Sequence, residues 1–106
     1  MGKMQRNKGA GFEREIAATL KSVFPEAKRG IGQARSASEV ADVEGTPFWL
    51  ECKRGRQPNV RAAFRQAEEA TDGRPALIVI RDDNDKAFVA MRLTTFMDIL
   101  QSQVGK

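Results

Sequence analysis

The stretch Ala41-Asp42-Val43-Glu44-Gly45-Thr46-Pro47-Phe48-Trp49-Leu50-Glu51-Cys52-Lys53 contains two short apolar runs separated by a turn at residues 44–47. If the second run is a strand, its side chains alternate between two faces. Trp49, Glu51 and Lys53 then share one face, and Phe48, Leu50 and Cys52 share the other. A hairpin across the turn would bring Asp42 beside Glu51. Two carboxylates of this kind suit Mg²⁺ or Mn²⁺, and a neighbouring lysine can orient a water or offset charge on a phosphate.

The periodicity of the remaining chain predicts a mixed arrangement of helices and strands. Phe12, Ile16, Leu20 and Val23 have helical spacing, and the continuous apolar run 76–80 is typical of a strand buried on both faces. The predicted elements are helix 11–24, strand 27–33, strands 40–43 and 48–53, helix 59–72 with Gly73 as its C-cap, strands 76–80 and 86–93, and a last helix capped by Thr95. Residues 1–106 therefore form one α/β domain, α+β-like, with about five strands in a mixed sheet flanked by helices and a flexible basic arm at 1–9.

Composition narrows the chemistry that this chain can perform. It has no histidine and one cysteine, Cys52, which excludes an internal disulfide, a cysteine zinc site and histidine-based triads. Cys52 is expected to face the core and be inert. No apolar run approaches the ~20 residues of a membrane span, and no signal-peptide core is visible. These features favour a reducing compartment, the cytoplasm, and neither a membrane partner nor a small-molecule cofactor is expected.

Charge is distributed unevenly along the chain. Residues 1–65 contain 13 Lys and Arg against 7 Asp and Glu, whereas residues 66–106 contain 5 against 7. Such segregation predicts a polyanionic partner, and a solvated basic surface is the alternative. The candidate phosphate-binding residues are Lys8, Arg29, Arg35, Ser36, Arg54, Arg56, Arg61, Arg65 and Gln66.

Two further polar residues have both a functional and a structural interpretation. Glu13 lies beside the apolar stripe of the first helix and could supply a third carboxylate. It could equally pair with Arg14 or with an arginine of the sheet. Gln66, on the second helix, could contact a scissile phosphate or a metal-bound water, or it could be a polar boundary residue.

Taken together, residues 8–80 resemble the PD-(D/E)xK nuclease superfamily, and within it the archaeal-type Holliday junction resolvases and their phage relatives. The run Lys8-Gly9-Ala10-Gly11-Phe12-Glu13 looks like the opening helix of that family, and Arg35-Ser36 looks like its basic loop. Asp42 matches the first metal aspartate, although Ala41 replaces the usual proline. Glu51-Cys52-Lys53 matches the E-x-K element, and Gln66 matches a helix glutamine found in many members.

The resemblance implies a restriction-endonuclease-like fold and a set of roles. Asp42 and Glu51 would bind Mg²⁺, together with the main-chain carbonyl of Cys52, and Mn²⁺ would be able to substitute. Lys53 would position the attacking water, and Glu13 would complete the site directly or through water. A homodimer is also implied, with Met91, Phe96 and Met97 as candidate interface residues.

The leading hypothesis is therefore a Mg²⁺-dependent endonuclease that cuts Holliday junctions or other branched DNA, in a bacterial, archaeal or phage-infected cell. One rival keeps the fold and acts as a nicking, repair or restriction-like nuclease. A second rival is a non-catalytic nucleic-acid-binding module, which would have no use for acids that face phosphates. A third rival is a small protein-binding domain, against which the basic run 53–65 argues.

Overall fold

Five strands form one mixed sheet in the computed structural model, which describes residues 2–30 and 40–104. The strand order is β1-β2-β3-β4-β5, and every neighbouring pair is antiparallel except β3 and β4, which are parallel. In chain order the elements are α1 (Gly2–Leu20), β1 (Lys28–Arg29), β2 (Val43–Glu44), β3 (Trp49–Gly55), α2 (Val60–Ala70), β4 (Ala76–Asp82), β5 (Phe88–Ala90) and α3 (Leu93–Val104). The prediction of an α+β domain with about five strands and flanking helices is confirmed.

The two faces of the sheet are covered by different helices. On one face Phe12 and Ile16 of α1 pack with Leu50, and on the other Ala63 and Ala67 of α2 pack with Trp49. Strand β4 is buried on both faces, as its continuous apolar sequence predicts. The alternation predicted for β3 is confirmed, because Leu50 and Trp49 belong to opposite layers of the core.

Element boundaries differ from the sequence prediction at several points. Helix α1 begins at Gly2 rather than near residue 11, so the segment expected as an arm is helical, because good helix formers such as Lys, Met, Gln and Arg dominate it. Asn59 caps α2 by accepting from the Ala62 N–H at 3.0 Å, but the C-cap is Thr71 and not Gly73. Within the described ranges, none of the helices is both long and apolar enough to cross a membrane.

The last helix and its preceding strand also deviate from expectation. Thr95 does not cap α3, because the helix already begins at Leu93, where the Phe96 N–H donates to the Arg92 carbonyl at 3.1 Å. Thr95 instead belongs to the first turn of α3, where its side chain is buried. Strand β5 is shorter than the predicted 86–93, and of the predicted strand 27–33 the described part contains only β1.

Gly30 holds β1 against the segment that carries Asp42. Its N–H donates to the Asp42 carbonyl at 2.8 Å, and an added Cβ would overlap the Ala41 carbonyl oxygen. We therefore expect Gly30→Ala to lower the free energy of unfolding by about 2–4 kcal/mol, measured by urea denaturation. Gly11→Ala is the matched control, since nothing lies within 4 Å of its added Cβ, and it should raise stability by about 0.5–1 kcal/mol. Equal stability of Gly30→Ala and wild type would contradict this packing.

Candidate functional site

The candidate site lies at the edge of β3, where its pairing with β2 ends. Val43 pairs with Leu50, and the Asp42 N–H donates to the Leu50 carbonyl at 2.8 Å. Two residues further along β3, the Asp42 side chain takes the place of a main-chain acceptor from β2, because its Oδ2 accepts a hydrogen bond from the Cys52 N–H at 2.8 Å. This bond fixes the carboxylate against an otherwise open strand edge, because an N–H there needs an acceptor.

Glu51 lies next to Asp42 on the side of the sheet covered by α2. Its Oε1 accepts a hydrogen bond from the Trp49 Nε1–H at 3.0 Å, and the residue is half-buried. Burial raises the pKa of Glu51 to about 7, and the charge of Asp42 and a side-chain hydrogen bond to Asp42 act in the same direction. The Trp49 bond and the Lys53 ammonium oppose this rise in pKa. The structure thus brings Asp42, Glu51 and Lys53 together.

Arg74 stabilises the hairpin that carries these residues, a role that was not predicted from the sequence. Its Nη2 lies 3.1 Å from Glu44 Oε1, and its Nη1 donates to the Thr46 and Phe48 carbonyls at 3.2 and 3.3 Å. Its guanidinium also lies 5.4 Å from the ring centre of Trp49. Because the hydrogen bonds of Arg74 join residues 26 to 30 positions apart, no local spacing signals them. Arg74 therefore helps to position Trp49, the donor to Glu51.

Cys52 contributes its main chain rather than its thiol. Its side chain packs against the α1 layer of the core, and burial raises the thiol pKa far above its ordinary value, with the carboxylates of Asp42, Glu13 and Glu51 adding to the rise. The thiol is therefore inert, in agreement with the sequence prediction. In a strand, the N–H and C=O of one residue point to the same side. Since the N–H meets Asp42, the carbonyl is directed to the same edge.

Glu13 approaches from the opposite side of the sheet. Its side chain is 19% exposed and is held by the Arg29 Nε at 2.7 Å. It is close enough to Cys52 to affect the pKa of the thiol, so it lies on the α1 layer and not on the α2 side with Glu51. This is the ion pair with a strand arginine that the sequence offered as the structural alternative. Arg29 is correspondingly engaged with a carboxylate.

The basic residues predicted to bind phosphate lie on several different elements, as far as the structure describes them. Arg54 lies in β3 beside Arg81 of β4, and the Nε of each is buried without a hydrogen-bond partner in the part of the chain that the structure describes. Arg56, Arg61 and Arg65 are exposed, the first after β3 and the others on α2. Arg35 and Ser36 lie outside the described residues, as does the Lys8 side chain.

Gln66 reaches the same cavity as Glu51. This cavity, of about 540 Å³, is lined by Glu51 of β3 and by Gln66, Glu69 and Ala70 of α2. The helix glutamine is therefore placed where it could contact a group bound at Glu51. Glu69 was not predicted as a site residue, because in the sequence it is one of two adjacent acidic residues on an amphipathic helix.

The donor set fits a hard divalent cation that retains solvent ligands. Among residues 2–30 and 40–104, no group of three or more His, Cys, Asp or Glu side chains is placed to hold a metal ion. Mg²⁺, however, is commonly held by one or two carboxylates together with waters and substrate phosphates. The Asp42–Glu51 pair supplies two carboxylates. Burial raises the Glu51 pKa and the charge of Asp42 adds to the rise, so a cation bound to the pair would relieve their repulsion.

Known proteins offer no independent assignment of this site. Comparisons of the chain with protein-family models, with curated proteins and with solved structures give no match in any of the three. The resemblance to PD-(D/E)xK nucleases therefore stays a prediction from the sequence.

Proposed function

We propose that this chain is a Mg²⁺-dependent endonuclease that hydrolyses phosphodiester bonds in branched DNA, built on a restriction-endonuclease-like variant of the mixed sheet. The observation that carries the proposal is the half-buried Asp42–Glu51 pair, with its raised Glu51 pKa, beside Lys53 at the open edge of β3. Perturbed carboxylates with a specific charged neighbour are typical of catalytic sites. A module that only bound DNA would gain nothing from two acids at this position.

Each residue of the site has a separate role in phosphodiester hydrolysis. A divalent cation held by Asp42, Glu51 and the Cys52 carbonyl would activate water and stabilise charge on the phosphate. The Cys52 N–H and the Trp49 Nε1–H hold the two carboxylates in fixed orientations. Lys53 orients the attacking water opposite the leaving oxygen and offsets negative charge that develops at phosphorus.

The surface features are consistent with a DNA substrate and a dimer. Basic residues outnumber acidic ones in the first 65 residues, and Arg56, Arg61 and Arg65 are exposed. Among the described elements, helix α3 makes no extensive contact with another element. It exposes Phe96 and Met97, which were predicted from the sequence as interface residues. A second copy on this surface would give two sites, as cutting of two strands requires. Met91, the third nominated residue, is half-buried.

Incubation with a labelled four-way DNA junction and a matched linear duplex, in Mg²⁺ or in EDTA, tests the proposal. We expect paired nicks on the junction in Mg²⁺ and none in EDTA. Equal cutting of both substrates would replace the junction preference with a general nuclease of the same site. Salt-sensitive DNA binding without cutting in Mg²⁺ or Mn²⁺ would contradict the catalytic role and favour a binding module.

A further inference from the structure

A second cleft lies between α2 and β5 and shares no lining residue with the Glu51 cavity. It encloses about 430 Å³. Its apolar lining consists of Val60, Phe64, Ala90 and Met91, all partly buried. Its polar lining consists of three arginines: Arg61, Arg65 and Arg92. The cleft therefore combines an apolar surface with a rim of one charge sign.

Two of the three arginines are available to an anionic ligand. Arg92 is neutralised by Glu68, with its Nε 2.9 Å from Oε2 and its Nη2 2.7 Å from Oε1. Arg61 and Arg65 are exposed, four positions apart on α2, and neither has an ion-pair partner within the described ranges. Residues at this spacing lie on the same face of a helix, so their guanidinium groups can contact one anion or two adjacent anions.

The Arg92 guanidinium stacks over the Phe64 ring and presents its own plane to the cleft. Its guanidinium lies 5.2 Å from the ring centre of Phe64, and the paired bonds to Glu68 fix its plane. Aromatic rings and guanidinium planes are the surfaces on which unpaired bases stack. A flat apolar ligand with an attached anion matches the two parts of the cleft.

We propose that this cleft binds an unpaired nucleotide of the DNA, with its base against Met91 and the stacked Arg92–Phe64 pair and its phosphate between Arg61 and Arg65. This inference rests on the proposed function and specifies the substrate as DNA with an unpaired segment near the cut. Arg65 and Gln66 are adjacent on α2, and Gln66 lines the Glu51 cavity. One strand can therefore pass from the cleft to the carboxylates along a single helix.

Binding measurements in EDTA test this cleft without any cleavage. Fluorescence anisotropy compares a labelled blunt duplex with the same duplex carrying a single-stranded extension. The proteins measured are wild type, two test variants and one control variant for each of them. Phe64→Leu keeps an apolar side chain and removes the ring, and Phe88→Leu, at an exposed position outside the cleft, is its control. The second test variant carries both Arg61→Gln and Arg65→Gln. Its control carries both Arg14→Gln and Lys21→Gln, which remove the same amount of charge from exposed positions on and just after α1.

We expect wild type to prefer the extended DNA, and Phe64→Leu to reduce that preference about fivefold or more while Phe88→Leu leaves it unchanged. The double arginine variant should weaken binding to both DNAs and lower the salt-dependence slope by about 1.5–2, more than its control does. A wild type without preference, or equal effects of the two phenylalanine variants, would overturn the proposal. A Phe64→Leu variant that alters oligomeric state and not affinity would assign the cleft to protein contact. Absence of cleavage would count against the nuclease alone, because these binding results do not require it.

Discussion

Replacement of Asp42 by Asn is expected to lower the rate of DNA cleavage in Mg²⁺ by at least about 10³-fold. A metal ligand contributes several kcal/mol to stabilisation of the transition state, and each 1.4 kcal/mol corresponds to about tenfold in rate. Asn removes the negative charge that the proposed cation requires, and it leaves Glu51 as the one remaining carboxylate of the pair. The loss should therefore appear in the cleavage rate and not in the affinity for DNA.

The same substitution should leave the fold intact. The Asn carbonyl oxygen can still accept from the Cys52 N–H, which Asp42 Oδ2 now does at 2.8 Å. The Asn amide group can donate towards Glu51, so repulsion between two carboxylates is replaced by a hydrogen bond. The Glu51 pKa should accordingly fall towards its ordinary value, because two of the causes that raise it are removed.

Initial cleavage rates and thermal melting curves, measured on the same preparations, separate these effects. Asp98→Asn makes the same chemical change at an exposed position on α3 and should keep the wild-type rate. Cleavage by Asp42→Asn within tenfold of wild type would remove Asp42 from the proposed metal site. A melting transition lost together with the activity would show that Asp42 acts mainly by closing the edge of β3.

The central part of the site was predictable because its information is local. Alternation along β3 assigns Leu50 and Glu51 to opposite faces, and the short turn at 44–47 leaves few ways to place Asp42 other than beside β3. The buried strand β4 was predictable for a similar reason, since an uninterrupted apolar run leaves no face for solvent. These parts of the fold follow from residues only a few positions apart.

Other parts of the site depend on contacts between distant segments. Arg74 binds the hairpin from the loop between α2 and β4, and Arg29 of β1 binds Glu13 of α1. A basic run in the sequence also need not be one surface: in β3, alternation sends Lys53 and Arg54 to opposite faces. No spacing rule specifies such partners, because only the packed sheet brings them within 4 Å of one another.

Glu51→Gln is expected to stabilise the protein at pH 8 while it abolishes cleavage. The folded-state pKa of Glu51, about 7, is above its ordinary value of 4.5, so the folded state binds the proton more tightly than the unfolded state does. Stability from this group is therefore full below pH 4.5 and is lost as pH rises through 7. Allowing for partial solvent screening, we expect the free energy of unfolding to fall by about 1–2 kcal/mol between pH 5 and pH 8 in EDTA.

Few other groups interfere in this pH range. The chain has no histidine. The pKa values of Glu68 and Asp72 are lowered by their arginine partners, so their contributions change only at more acidic pH. The Cys52 thiol stays protonated in the folded state, and its effect begins as the unfolded thiol ionises near pH 9. The slope between pH 5 and pH 8 is thus assigned mainly to Glu51.

Urea denaturation at several pH values, with and without Mg²⁺, measures both the carboxylate pair and the proposed cation. In EDTA, Glu51→Gln should flatten the slope, because the amide oxygen can accept from Trp49 and the amide N–H can donate to Asp42. Glu69→Gln, an exposed residue of the same cavity, should keep the wild-type slope. At pH 8, binding of Mg²⁺ should raise the free energy of unfolding of the wild-type protein by mass action, and it should have little effect on that of Glu51→Gln. Two results would contradict the pairing of Asp42 and Glu51 on which the nuclease proposal depends. One is a wild-type stability that does not change between pH 5 and pH 8. The other is an equal effect of Mg²⁺ on the stability of wild type and of Glu51→Gln.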